Sequence, residues 1–190
     1  MDSPQPRLGI ATTGKSYLDV MQALEELGID AGRAAEIGIR LYKIGMSWPL
    51  EREGVRHFAE GLDEILVVEE KRGLIENQIK EQLYNWKPEV RPRVIGKFDE
   101  VNSWLLPSMG ELTPARIARV IASRIERFYQ SEEIEKRLHF LQRKEQELAM
   151  PRVTLERVPH FCSGCPHNSS TVLPEGSRAT GGIGCHYMAT

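Results

Sequence analysis

The residues best suited to chemistry are three cysteines, all lying between Cys162 and Cys185. Cys162 and Cys165 form a C-x-x-C pair around Ser163-Gly164, the spacing at which two thiolates reach one metal centre. Gly164 permits the tight turn that would bring both sulfurs to one side. Cys185 follows in Gly181-Gly182-Ile183-Gly184-Cys185-His186, again flanked by glycine. Three thiolates are one short of a Cys-only zinc site or a cubane iron–sulfur cluster. His160, His167 and His186 are candidates to complete a zinc site of Cys and His ligands, which would make the segment a structural zinc ribbon. Each histidine also reads as an ordinary hydrogen-bonded loop residue. A thioredoxin-type dithiol is disfavoured, because Cys162 does not follow a strand and open a helix. The odd, clustered count argues against a disulfide framework and for a reducing, cytoplasmic setting.

A second pattern lies at the other end. Gly9-Ile-Ala-Thr-Thr-Gly14-Lys15-Ser16 satisfies G-x-x-x-x-G-K-[ST], and Ile65 to Glu69 resembles an apolar strand ending in an acid. A phosphate loop needs its strand before the first glycine. Met1 to Leu8, with Pro4 and Pro6, cannot supply one. Gly9 instead belongs inside the strand Leu8 to Thr12, so the competing expectation is a plain strand-to-helix turn. Nucleotide binding stays as an alternative on the literal match.

The elements that must position these residues follow from periodicity. Strands are expected at Leu8 to Thr12, Ile37 to Ile44, Glu64 to Glu69 and Arg93 to Phe98, the second and third buried and the last at an edge after Pro92. Helices are expected over Ser16 to Leu27 (Tyr17, Val20, Met21, Leu24 and Leu27 inward), Glu51 to Leu62 (Val55, Phe58, Ala59 and Leu62) and Leu74 to Trp86 (Ile75, Ile79, Leu83 and Trp86). This alternation specifies an α/β fold, an open and mostly parallel sheet with helices on both faces, over about residues 7–102. Glu69 to Arg72 lie at a strand's C-terminal end, where such sheets place ligand contacts, though a solvated loop or docking surface is the plainer expectation. Leu106 to Gly110 reads as a linker, while Trp104, Leu105, Leu106 and Met109 would pack on another domain or close the core. Thr113-Pro114 then opens a helix with Ile117, Val120, Ile121, Ile125 and Phe128 inward. A charged helix follows Ser131, with a stripe of Ile134, Leu138, Leu141 and Leu148, ended by Pro151. The rest is expected to be an irregular, Gly-rich tail. The division is thus 1–102, 103–149 and 150–190.

Composition bounds the function. The 190 residues carry 25 Lys and Arg against 27 Asp and Glu, a net charge of −2. No basic field exists for nucleic acid. The longest apolar runs, such as Ile65 to Val68, are far too short for a membrane span. Met1 to Arg7 shows no secretory signal pattern.

The run FCSGCPHNSSTVLPEGSRATGGIGCHYMA closely resembles the start of the thiamine-diphosphate-binding domain of indolepyruvate ferredoxin oxidoreductases in their long, fused form. The upstream segments ATTGKSYLDVMQALEELGID, IRLYKIGMSWPLE and ILVVEEKRGLIENQIKEQLY resemble the transketolase C-terminal-like domain that precedes it. Together the C-x-G-C-P-H and G-I-G-C-H-Y elements are specific; either alone is weak. The resemblance implies oxidative decarboxylation of an aryl 2-oxoacid such as indolepyruvate. Its cofactors would be thiamine diphosphate with magnesium and a four-iron four-sulfur cluster. Coenzyme A would accept the acyl group, and ferredoxin or a similar carrier the electrons. Carried over residue by residue, Cys162, Cys165 and Cys185 would ligate the cluster, and Gly164, His167, Gly184 and His186 would line the adjacent loops. His167 stands where many 2-oxoacid:ferredoxin enzymes have Gly.

No catalytic residue is assigned by this correspondence. A fourth cysteine and the Gly-Asp-Gly…Asn element for magnesium would lie beyond Thr190, and the 2-oxoacid-binding domain would precede Met1. The expectation is therefore a fragment of a larger, homo-oligomeric enzyme, partnered by its remaining domains and inactive alone.

Overall fold

The structure is a computed structural model that describes residues 1–149, 160–178, 180, 184 and 185. Two compact units divide the chain, Met1–Glu147 and Leu148–Thr190.

The first unit is built on a four-stranded parallel sheet. Its strands are β1 (Leu8–Thr13), β2 (Ile39–Ile44), β3 (Glu64–Val68) and β4 (Arg93–Ile95), in the order β2-β1-β3-β4. The helices are α1 (Gly14–Glu26), α2 (Ala31–Ile37), α3 (Arg52–Ala59), α4 (Leu74–Leu83), α5 (Pro114–Ile125) and α6 (Glu132–Ala149). Parallel strands need crossovers, and these helices supply them on both faces, so the expected α/β architecture holds. No helix among the described residues is long and apolar enough to cross a membrane.

Period-two alternation sorts the side chains of the central strands into two cores. Leu8, Ile10, Leu66 and Val68 join Val20 and Leu24 of α1, Ala34 of α2, and Ile117 and Ile121 of α5. Ala11, Ile65 and Val67 join Val55 and Phe58 of α3 and Ile75, Ile79 and Leu83 of α4 on the other face. β3 is buried along its whole length, as a doubly covered strand must be.

Several boundaries differ from the periodicity reading. Ile37 to Ile44 is not one buried strand. Asp30 caps a short helix by accepting from the Arg33 N–H at 2.8 Å, and α2 runs to Ile37. Gly38 then turns the chain at φ 100°, a conformation natural to glycine, and the strand begins at Ile39. β2 is an edge strand, and its middle residues are partly exposed. β4 lies at the opposite edge, as Pro92 suggested. Tyr17 and Met21 sit at the rim of α1, whose buried face instead uses Ala23. Leu106 is no linker residue but is fully buried in the first core. Thr113 caps α5 by accepting from the Arg116 N–H at 3.3 Å.

A buried ion pair docks α5 onto the N-terminal end of β3. Arg124, 3% exposed, forms a bidentate pair with Glu64 at the start of β3, donating from Nε at 2.6 Å and also from the second guanidinium nitrogen. Glu100 extends the network by accepting from Arg124 at 3.0 Å and from Arg127. Its own backbone N–H, and then the two guanidinium groups, hold the Glu100 carboxyl at about 2, below its ordinary 4.5. A depressed carboxylate contributes stability above the unfolded value and loses it as the pH falls through the folded one.

Two outcomes test this packing. A Cβ at Gly9 would lie 2.4 Å from Leu62 Cδ1 and 2.7 Å from Phe58 Cζ, because α3 presses directly on β1. Gly9→Ala should therefore destabilise the domain by about 1–3 kcal/mol in urea unfolding. Glu100→Gln should flatten the acid loss of stability between pH 4.5 and about 2, seen as midpoint temperatures that converge with wild type at the acid end.

Candidate functional site

The cysteine segment forms a self-contained turn. The Cys165 N–H donates to the Cys162 carbonyl at 3.0 Å, and Gly164 between them adopts φ 75°. Only glycine takes that conformation without strain, which is why the Ser163-Gly164 pair can close the turn. Pro166 leads into the four-residue helix α7 (His167–Ser170), a turn of helix where the sequence predicts an irregular tail. Asn168 fastens the two pieces: its side-chain amide donates to the Cys162 carbonyl at 3.1 Å and its backbone N–H to that of Cys165 at 3.1 Å.

His167 folds back over this turn. Its ring stacks on Phe161 with centroids 5.2 Å apart, and its Nδ1 lies 3.2 Å from the Cys165 Sγ. Cys165 is half-buried, while Cys162 is exposed. The turn thus brings together Cys162, Cys165, Gly164 and His167, four of the residues singled out from sequence. Gly184 and Cys185 are described, and Cys185 is an exposed free thiol. His186, and the Gly181 to Ile183 part of its motif, lie outside the described residues. His160 is exposed at the entry to the turn. Among the described residues, no three His, Cys, Asp or Glu side chains are gathered to hold a metal ion.

The G-x-x-x-x-G-K-S segment makes no phosphate cradle. Thr13 is the last residue of β1 and Gly14 the first of α1, so no loop separates strand from helix. Gly9 sits inside the strand, as the missing upstream strand required. Lys15 is committed to carboxylates, 2.8 Å from Asp19 and 2.9 Å from Glu111, and they raise its pKa well above the ordinary lysine value.

Open parallel sheets bind ligands where the strand order reverses, here between β1 and β3. In this protein the chain itself closes that crevice. Lys71 donates to the Gly110 carbonyl at 2.7 Å, the Leu112 N–H donates to Glu70 at 3.3 Å, and Lys15 reaches the Leu112 carbonyl at 3.4 Å. Met109 beside this strap is exposed, and exposed Trp104 packs its ring 4.3 Å from that of Phe98.

Just beyond β3 the structure gives partners to residues that the sequence places only at a strand's C-terminal end. Glu69 is not in a solvated loop; it is 4% exposed. Its carboxylate accepts from the backbone N–H groups of Leu74, Ile75 and Glu76 at 2.9–3.1 Å, capping α4 from outside the helix. Glu76, also buried, accepts from the Lys97 N–H at 2.9 Å, and Lys97 Nζ donates to the Glu69 carbonyl at 2.6 Å. The only signal in the sequence was an acid shortly before a Gly-started helix.

Comparison with known proteins finds relatives for this chain. A family model described as the indolepyruvate ferredoxin oxidoreductase middle domain matches residues 1–150. The chain is 28% identical over 166 residues to the indolepyruvate oxidoreductase subunit IorA of Pyrococcus abyssi, covering 86% of this chain and 22% of that protein. It is 27% identical over 164 residues to the same subunit of Thermococcus kodakarensis, with the same coverage. The chain therefore spans about a fifth of the length of these relatives. A solved 2-oxoglutarate:ferredoxin oxidoreductase from Magnetococcus marinus, with 2-oxoglutarate, coenzyme A and succinyl-CoA bound, aligns at a TM-score of 0.42 and 17% identity. That alignment covers 66% of this chain and 18% of the other.

The Glu69 cap has a direct consequence for stability. Each buried donor left dry costs about 1–3 kcal/mol. Glu69→Ala, which strips three N–H groups, should lose about 3 kcal/mol or more in denaturant unfolding. Glu69→Gln, which keeps one acceptor oxygen, should lose clearly less.

Proposed function

This chain belongs to the indolepyruvate ferredoxin oxidoreductase family, and from that premise we propose that it is part of a thiamine-dependent enzyme that oxidatively decarboxylates an aryl 2-oxoacid. Coenzyme A takes the acyl group and ferredoxin or a similar carrier takes the electrons. Residues 1–102 are its transketolase C-terminal-like domain, 103–149 a helical extension, and 150–190 the opening of the thiamine-diphosphate-binding domain. The remaining domains are its partners, in a homo-oligomer working in the cytoplasm. The observation that carries this reading is the joining, in one chain, of a segment that matches the family's middle domain with a turn that presents two cysteines.

When bound, thiamine diphosphate with magnesium supplies the carbanion chemistry of decarboxylation, and a four-iron four-sulfur cluster the one-electron steps. This chain's part is to hold that cluster through Cys162 and Cys165, with Cys185 from the second glycine-rich motif. The donor set fits: two thiolates at C-x-x-C spacing lie on a turn fixed by Gly164 and Asn168. With its proton on Nδ1, His167 would donate to the Cys165 sulfur, 3.2 Å away, and support the thiolate charge. By the family correspondence, Gly164, Gly184 and His186 would line the adjacent loops. Cys162 to Ser170 offer no convergent donors for magnesium and diphosphate, so the cysteine turn does not hold thiamine diphosphate and the isolated chain does not decarboxylate.

Anaerobic reconstitution of the chain with iron and sulfide tests the assignment. A visible thiolate-to-iron chromophore should form, bleach in air, and weaken in each of Cys162→Ser, Cys165→Ser and Cys185→Ser. Tight binding of one zinc per chain, with His160, His167 or His186 as a ligand, would instead establish the zinc-ribbon alternative and remove the electron-transfer role.

A further inference from the structure

Beside the C-terminal ends of β3 and β4, the sheet unit contains a cavity of about 520 Å³ lined by Lys71, Arg72, Lys80, Lys97, Asn77 and Ser108. The chain as a whole is slightly acidic, yet four cations line this cavity against a single carboxylate, Glu76. Both oxygens of that carboxylate are engaged. Oε1 accepts from Lys80 at 2.5 Å and Oε2 from the Lys97 N–H. The nearby Glu69 carboxylate is likewise engaged by the start of α4.

Lys97 is the anomaly. It is 5% exposed, and its ammonium has one hydrogen bond, to a neutral carbonyl. A charge at that depth ordinarily has a direct counter-charge, since a neutral partner offsets little of its lost hydration. Burial pushes the Lys97 pKa down, and the carboxylates of Glu69, Glu76 and Glu70 only partly oppose it. Around it stand donors with no partner among the described residues: the exposed Arg72 guanidinium, the Asn77 side-chain amide and the Ser108 hydroxyl. Gly73 passes close to both residues: a Cβ there would meet Glu76 Oε2 at 3.2 Å and Lys97 Cγ at 3.6 Å.

We propose that this cavity is an anion site for a phosphate-bearing small molecule, a diphosphate or phosphate ester, held by Arg72, Lys71 and Lys97 and oriented by Asn77. Several cations and neutral donors converging on one space match a group with more than one charge and several acceptor oxygens better than a single carboxylate. The volume lies within the usual range of small-molecule pockets, about 300–1,000 Å³, and exceeds what a bare ion needs. The site is separate in sequence from the cysteine turn and does not rest on the cluster reading.

Titration of the chain with pyrophosphate, followed by calorimetry and amide NMR, tests it. One pyrophosphate should bind per chain, shifting Gly73, Asn77, Lys97 and Ser108. Arg72→Gln should weaken it by about tenfold, the loss of one charge-assisted contact. Arg72 is exposed and unpaired, so this variant folds as wild type even if Lys97→Met does not. Tighter binding of ADP than of pyrophosphate assigns a phosphate ester, and the reverse order assigns an inorganic diphosphate; both support the site. Absent binding, binding indifferent to Arg72→Gln, or tighter binding of citrate or of a polyglutamate peptide would overturn it.

Discussion

A single buried carboxylate, Glu69, is the constraint on which the arrangement of the sheet's C-terminal edge depends. It sits one residue past β3 and satisfies the three N–H groups that open α4. Helix starts leave such donors unpaired, and here those of Ile75 and Glu76 are buried. Once α4 is fixed in this way, Gln78 on the same helix reaches the preceding loop. Its side-chain oxygen accepts from the Leu50 N–H at 2.8 Å and its amide donates to the Ser47 carbonyl at 2.8 Å. Two residues earlier, Glu76 anchors the chain after β4 through Lys97. Three loops at one end of the sheet therefore take their positions from one helix, and that helix from one side chain.

The same edge explains why a literal phosphate-loop match gives no phosphate loop. A cradle requires several free backbone N–H groups around an open loop at a helix N-terminus. The β1–α1 junction has no intervening residue, and Lys15 already faces Asp19 and Glu111. The crevice between β1 and β3 is closed by the strap at Gly110 to Leu112, whose carbonyls and N–H are bound by Lys71, Lys15 and Glu70. Gly9 is glycine for a packing reason, the close approach of Phe58 and Leu62.

The cysteine turn obeys a different logic. Its conformation is set within a dozen residues, by Gly164, Asn168, Pro166 and the ring of His167 over Phe161. No distant segment is needed to bring Cys162 near Cys165. Local determination suits a metal-ligating turn, because the spacing of its thiolates is fixed before the rest of a site assembles.

By itself the sequence determined what local periodicity and local turns encode. β1, β3 and the helices α1, α3, α4 and α5 were legible because burial on one or both faces imposes a repeat that short windows reveal. The C-x-x-C turn was legible for the same reason, its determinants being neighbours. α2 was not: seven residues are too few for a clear period, and the apolar Ile37 at its end merged with β2 until Gly38 was seen to turn the chain. The tertiary structure alone decided which charges meet. Glu64 pairs with Arg124 across 60 positions, and Glu76 caps Lys97 across 21. Glu69, Lys97 and Arg124 look like surface residues in a linear reading, since charged side chains are usually solvated. Only the folded chain, by removing water from around them, makes their partners obligatory.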